Sequence, residues 1–303
     1  MPNLHDIDKR IKSVSSTKQI TRTMEMVAGA KVKHATERIA AAAPYSDSMV
    51  EMLQGVAERV QPSENPLLEK HESVKRILAV AVVSDRGLAG GFNSNVLRAV
   101  EKTVRAKKSE GVEVDIIACG KKAGGFFRFR KMTPVLEFKD QSADPTIEQA
   151  GEIADYAIKA YEEGSIDEVV LIYNHSKNAA TQVLTEQVIL PVDTTAAPQA
   201  HVRTASAVEE PAETETVPAS IEFEPEPADV LARLLPAYLR TSIYRALIDS
   251  AAGEQAARLQ GAKEALLAMG FTSAEADVAL KDAPETLVTD SALLQYALRR
   301  LGD

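Results

Sequence analysis

The residues that come closest to a chemical motif form a glycine-rich segment at positions 85–93, DRGLAGGFN. The segment lies between a predicted strand and a predicted helix, where α/β proteins often hold phosphate groups against a helix N-terminus. However, it matches neither G-x-x-x-x-G-K-S/T nor G-x-G-x-x-G. We therefore favour a tight turn that needs glycine over a nucleotide-binding loop.

The histidines do not have the spacing of a metal site or of a catalytic triad. Zinc ligands usually come in closely spaced pairs. The five histidines instead lie in different segments, at His5, His34, His71, His175 and His201. The sequence therefore predicts no metal ion, no cofactor and no catalytic residue.

A second segment, GKKAGGFFRFRK at 120–131, interleaves basic and aromatic residues. Nucleic-acid-binding surfaces combine these types because bases stack on aromatic rings and phosphates attract cations. The whole chain, however, carries a formal charge of −9, which opposes general binding to nucleic acid. We therefore favour a solvated basic turn at the end of a strand.

The composition limits the class of protein. A chain of 303 residues corresponds to about two domains of ordinary size. The single cysteine, Cys119, excludes an intrachain disulfide framework and a cysteine-rich zinc site, and is typical of a reducing compartment. No apolar run reaches the roughly 18 residues of a membrane span, and the first residues lack the apolar core of a secretory signal.

Long helices are predicted on both sides of a central region. Apolar residues recur every three or four positions from Leu4 to Val60, which is typical of a narrow coiled-coil stripe. Such a stripe needs a partner helix, and a similar pattern returns from Pro227 onward. We predict that residues 1–60 and 225–262 form a long antiparallel two-helix shaft.

Between these helices the pattern becomes that of buried strands. Two helical segments, 94–108 and 146–162, alternate with apolar runs at 76–83, 112–119, 168–173 and 182–190. This alternation predicts a mostly parallel sheet covered on both faces, in a Rossmann-like domain over residues 74–192. Residues 193–222 are rich in Thr, Ala, Pro and Glu and are predicted to be an acidic disordered insert. The predicted fold class is α+β.

Positive charge is concentrated in the first helix. Residues 1–40 contain eight Lys and Arg against four Asp and Glu, a local charge of +4 that leaves −13 for the rest of the chain. A basic helix on an acidic protein indicates an acidic partner surface. On charge alone, a solvated helix face explains the same residues equally well.

Several motifs, in order along the chain, resemble the gamma subunit of F-type ATP synthase. They cover about residues 1–260 and comprise 11–31, Pro44-Tyr45, 85–93, 173–178, Thr181-Gln182, 234–239, 243–247 and 250–258. The resemblance implies a rotor shaft inside a ring of three catalytic and three non-catalytic subunits, formed by alpha and beta, with the α/β domain on the epsilon subunit and the membrane c-ring. Such a subunit couples proton-driven rotation to ATP synthesis, lies on the cytoplasmic face of a bacterial plasma membrane, and has no catalytic site, cofactor or nucleic-acid contact of its own.

The resemblance also implies which residues touch these partners. The helix that presses against acidic loops of the catalytic subunits carries Lys9, Arg10, Lys12, Lys18, Arg22 and Met24. The glycine-rich segment supplies Asp85, Arg86, Gly87, Gly90, Gly91 and Asn93. These residues would transfer torque through charge and packing, without bond chemistry.

The resemblance stops after Leu259. Residues 263–303 predict three short helices, with Gly270 ending the first, a capping box at Thr272 opening the second, and Pro284 preceding the third. This tail resembles the C-terminal domain of the Holliday-junction protein RuvA, which contacts the RuvB motor. Two alternatives therefore remain: an adaptor whose tail docks a AAA+ motor such as RuvB, or a gamma subunit with a divergent tail.

The length of the second helix limits how far the shaft can be paired. If Val60 lies opposite Asp229, a second helix that ends at Met269 reaches only to about Ile20. The apolar residues before Ile20 would then lack a helical partner. We predict a paired region over about residues 20–60 and an unusual tip.

Overall fold

The computed structural model describes residues 3–57, 59–61, 63, 65–178, 181–194 and 226–268. The elements in chain order are α1 (Leu4–Ala57), β1 (Arg76–Val82), α2 (Phe92–Ser109), β2 (Glu113–Cys119), α3 (Lys121–Phe129), β3 (Leu136–Phe138), α4 (Ile147–Glu162), β4 (Glu168–Ser176), β5 (Gln182–Leu190) and α5 (Pro227–Ala268). The acidic insert from residue 195 onward and the tail from residue 269 onward lie outside the described residues. α5 runs without a break across the boundary predicted between residues 262 and 263.

The five strands form one sheet in the order β3-β2-β1-β4-β5. The first four are parallel, and β5 runs antiparallel to β4. Alternate residues of β1 point into two cores, one shared with α4 and α5 and the other with α2 and α3. Six of its seven residues are therefore buried, as in other parallel sheets covered on both faces. The predicted α+β class and mostly parallel sheet are confirmed.

The two long helices pack against each other in opposite directions. Leu53, near the end of α1, shares a core with Leu231 and Leu235, near the start of α5. Nearer the middle of both helices, the Arg38 Nη2 group donates a hydrogen bond of 3.1 Å to the Tyr244 hydroxyl. The same core includes residues of β1, β2 and β4, so the helix pair is anchored to the sheet.

The N-terminal part of α1 extends beyond this packing. The first buried residue of α1 is Thr23, and most of the residues before it are exposed. Leu4 and Ile20 expose 76% and 60% of their surface. In the part of the chain that the structure describes, α1 is therefore packed only from about residue 21 onward, close to the limit predicted near Ile20.

Residues 121–129 form a helix where the sequence predicts a turn, so that prediction is wrong. α3 buries Ala123 and Phe127 under the sheet. Its adjacent glycines suggest a helix breaker, but a Cβ at Gly124 would lie only 3.0 Å from the Glu137 carboxylate. The absence of a side chain at Gly124 thus leaves room for the Glu137 carboxylate of β3, a three-residue strand that the sequence analysis does not predict.

Candidate functional site at the carboxyl edge of the sheet

The loop that follows β1 leaves the sheet at the point where the strand order reverses, and Asp85 ties the loop that follows β3 to it through hydrogen bonds. Crevices in open α/β sheets form at such positions. Here α1 and α5 run past these loops, and a groove of about 660 Å³ remains between them. The charged side chains that line it come from all three parts: Lys31, Asp85, Arg86, Asp140, Glu254 and Arg258.

Asp85 holds the loops of this edge together. One carboxylate oxygen accepts hydrogen bonds from the backbone N–H groups of Lys121, at 2.8 Å, and Asp140, at 3.0 Å. The other oxygen accepts from the N–H of Ser142, also at 3.0 Å. Burial by itself would raise the pKa of Asp85, but these donors outweigh it and hold that pKa below its ordinary value.

We expect Asp85→Asn to lower the free energy of unfolding by about 2 kcal/mol at pH 7, because the carboxylate accepts several charge-assisted hydrogen bonds. Since the pKa of Asp85 is lower in the folded state, the advantage of the wild-type chain is complete above the unfolded pKa of about 3.9 and disappears as the pH falls through the folded pKa. Urea unfolding at several pH values measures the difference. The exposed control Asp47→Asn should shift stability by less than about 0.5 kcal/mol. A difference that did not change with pH would contradict this role.

The Asn93 side chain stabilises the glycine-rich turn through hydrogen bonds to its backbone. Its side-chain oxygen accepts a hydrogen bond of 2.9 Å from the Ser84 N–H, and its amide donates one of 3.2 Å to the Arg86 carbonyl. Positive φ angles occur at Leu88, at 62°, and at Gly90, at 52°. The need for glycine that the sequence predicts therefore applies to Gly90, whereas Gly87 and Gly91 adopt ordinary φ angles.

The structure adds an ion pair that the sequence analysis misses. Glu254 is 3% exposed, and Arg258 binds one of its oxygens through Nη2 at 2.7 Å and Nε at 3.0 Å. Burial raises the pKa of Glu254 above its ordinary value, although Arg258 pulls in the opposite direction. The i,i+4 spacing of the two residues on a helix is the sequence signal that could have revealed the pair.

Apart from Gly87, Gly90, Gly91 and Asn93 of the glycine-rich turn, the predicted interface residues form two adjoining groups. Met24, Asp85 and Arg86 line the groove. The others on α1 precede Thr23, and they are exposed or half-buried: Lys9, Arg10, Lys12, Lys18 and Arg22. The chain therefore presents a groove at the sheet edge and, continuous with the α1 wall of that groove at Ser16, Gln19 and Ile20, a basic helical segment with exposed apolar residues.

The helices of the described residues include no segment with the length and hydropathy of a membrane span. Within the same residues, no three His, Cys, Asp or Glu side chains are grouped so that they could hold a metal ion.

Comparison with known proteins gives consistent matches. A family model described as ATP synthase matches residues 3–270. The ATP synthase gamma chain of Chlorobaculum tepidum is 33% identical, over 97% of this chain and all of the relative. The gamma chain of Desulforudis audaxviator is 38% identical, over 86% of this chain and 85% of the relative.

The solved structures that resemble this chain are also parts of ATP synthases. The central stalk and c-ring structure of the Tetrahymena thermophila mitochondrial ATP synthase contains a chain that superposes with a TM-score of 0.58 at 25% identity, covering 81% of this chain and 99% of that one. A chain of the Euglena gracilis mitochondrial ATP synthase rotor, at 17% identity and a TM-score of 0.54, covers 97% of this chain and 96% of its own length, and shares the fold. Because the family model spans most of the sequence and relatives above 30% identity cover most of both chains, this chain belongs to the ATP synthase gamma chain family.

Proposed function

We propose that this chain is the central rotor-shaft subunit of an F-type ATP synthase, which couples proton-driven rotation to ATP synthesis in the catalytic ring. The observation that carries this function is the family match over residues 3–270, together with the superposition on a central-stalk chain. As a gamma chain it is a non-catalytic subunit, and the catalytic sites lie on the beta subunits.

The partners follow from the same comparisons. They are the alpha and beta subunits around the shaft, and the epsilon subunit and c-ring at its foot. We place the five-stranded domain at the foot and the exposed end of α1 inside the ring. The complex is associated with a membrane, and we propose that the chain lies peripherally on the cytoplasmic face of a bacterial plasma membrane.

We assign the contact with the catalytic subunits to the segment of α1 before Thr23. Lys9, Arg10 and Lys12 are exposed there, beside apolar residues such as Leu4 and Ile11 that are exposed by 76% and 59%. Exposed apolar surface rimmed by charge is typical of a protein interface. Basic side chains suit an acidic partner because charge complementarity speeds and orients association.

We assign a second contact to the groove and the glycine-rich turn beside it. Some of their residues hold the loops in place, and others face the partner. Asp85 and Asn93 hold the loops in place through hydrogen bonds within the chain. Arg86 and the tip residue Leu88, which is 76% exposed, are then presented to a partner. Met24 lies on the α1 wall of the same groove.

The adaptor alternative depends on the tail, which lies outside the described residues. The family model ends at residue 270, and a RuvB-like partner finds no support in the comparisons. The three short helices of the tail stay a prediction from the sequence.

Co-expression with the alpha and beta subunits of a related bacterium tests the proposed function. With an affinity tag on this chain alone, we expect alpha and beta to co-purify in one complex that hydrolyses ATP. Recovery of the folded chain without alpha and beta would contradict the proposal.

A further inference from the structure

A second, much smaller cavity lies behind the groove, between the carboxyl ends of β1 and β2 and the helices α4 and α5. Its volume is about 10 Å³, and its polar walls include Gln141, Ser142, Gln149, Ser250 and Glu254. Ser142 and Glu254 line the outer groove as well, so they form the partition between the two spaces.

Two of the residues that line this cavity carry a side-chain acceptor without a donor in the described part of the chain. Gln149 is 5% exposed, and its side-chain Oε1 is buried without a hydrogen-bond partner. The Oε1 of Gln141 is also buried without a hydrogen-bond partner. Folded proteins rarely leave buried acceptors unpaired. An unpaired acceptor has lost the hydrogen bonds that water supplied before folding, and this loss costs free energy of folding.

We propose that this cavity binds one ordered water molecule, which donates its two hydrogen bonds to Gln141 and Gln149. A water needs a space of about one probe sphere, 10–15 Å³, and two or more polar partners, and the cavity meets both requirements. The two O–H groups of one water molecule can donate to the two glutamine oxygens that have no other donor among the described residues. Ser250 and Glu254 supply further polar atoms on the opposite wall.

The charges around the cavity favour a neutral ligand over a cation of similar size. Among the described residues of the wall, Glu254 is the only charged one, and Arg258 already binds its carboxylate at 2.7 Å. A monovalent cation would add a charge that no further carboxylate of the wall balances. Water satisfies the acceptors without adding charge.

The bound water joins parts of the fold that meet at the sheet edge. Gln149 lies on α4, Gln141 in the loop after β3, and Glu254 on α5. The water therefore lies between the sheet domain and one of the two long helices, and it stabilises their junction. This role does not depend on the identity of the chain's partners, so the test below is independent of the rotor proposal.

A crystal structure of the full chain at about 1.5 Å resolution tests the site directly. We expect one density peak within 2.7–3.2 Å of both Oε1 atoms. An empty cavity would overturn the proposal. So would an anomalous peak there in crystals grown with rubidium in place of sodium and potassium, because it would identify a cation site.

The substitution Gln149→Leu separates a hydrated cavity from a dry one by the sign of its effect. If water occupies the site, losing one acceptor should lower the melting temperature by about 3 °C. If the cavity is dry, removing an unpaired acceptor should raise it, which would contradict the proposal. Gln260→Leu, on the exposed face of α5, serves as the matched control and should leave the melting temperature within about 1 °C.

Discussion

Replacing Gly120 by alanine is expected to lower the free energy of unfolding by about 4 kcal/mol. Gly120 has φ 97° and ψ 142°, a combination that is almost confined to glycine. An added Cβ would lie 2.3 Å from the Val83 carbonyl oxygen and 2.9 Å from the Ser84 carbonyl carbon. Both contacts are with backbone at the carboxyl end of β1, so neither can be relieved by a side-chain rotation.

Gly125→Ala is the matched control for this substitution, because Gly120 directly precedes α3 and Gly125 lies within the same helix. No atom lies within 4 Å of a Cβ built at Gly125, and the residue is helical. We expect that substitution to raise stability by about 0.5–1 kcal/mol, since alanine favours helix more than glycine does. Urea unfolding followed by circular dichroism measures both variants. A loss below 1 kcal/mol for Gly120→Ala would show that the sheet edge tolerates a side chain.

Reversing the charge of Lys9, Arg10 and Lys12 to glutamate is expected to weaken binding to the catalytic ring by about tenfold or more. Each change replaces an attraction to an acidic surface by a repulsion, and exposed charge contacts contribute up to about 1 kcal/mol each. The deficit should shrink at high salt, because screening weakens both attraction and repulsion. The three residues are exposed, so the melting temperature should change little.

The control for the charge reversal is the same change on α2, at Arg98, Lys102 and Lys108. These residues are also exposed, and they lie on the sheet domain. We expect them to leave ring binding within about twofold of the wild-type value. Equal losses in both triple variants would mean that total charge, and not the position of the basic segment, controls assembly.

The sheet and the long helices could be predicted because their signals are local. Six consecutive buried residues in β1 follow from an uninterrupted apolar run bounded by polar residues. α3 could not be predicted in the same way, because Gly124 signals a breaker unless the carboxylate of Glu137 is known to lie beside it. The short strand β3, which supplies that carboxylate, has no sequence pattern of its own.

The arrangement of the candidate site could likewise be predicted only in part. Asp85 and Asn93 could be selected from the glycine-rich segment, but their roles depend on distant partners. The N–H of Ser142 that binds Asp85 is 57 positions away in the chain. The groove itself requires that residues 16–31 of α1 lie beside Glu254 and Arg258 of α5. That placement depends on the register of two helices, which a spacing argument sets only approximately.

Rotation of this chain within an assembled ring tests the central claim most directly. A bead can be attached through Lys108→Cys, because Lys108 is exposed near the end of α2. The native Cys119 does not compete, since it is buried and burial raises its thiol pKa to about 12, which keeps it unreactive. With the ring fixed to glass through its beta subunits, the account predicts that ATP drives the bead in one direction, with three pauses per turn. A ring that contains this chain and hydrolyses ATP while the bead stays still would contradict it.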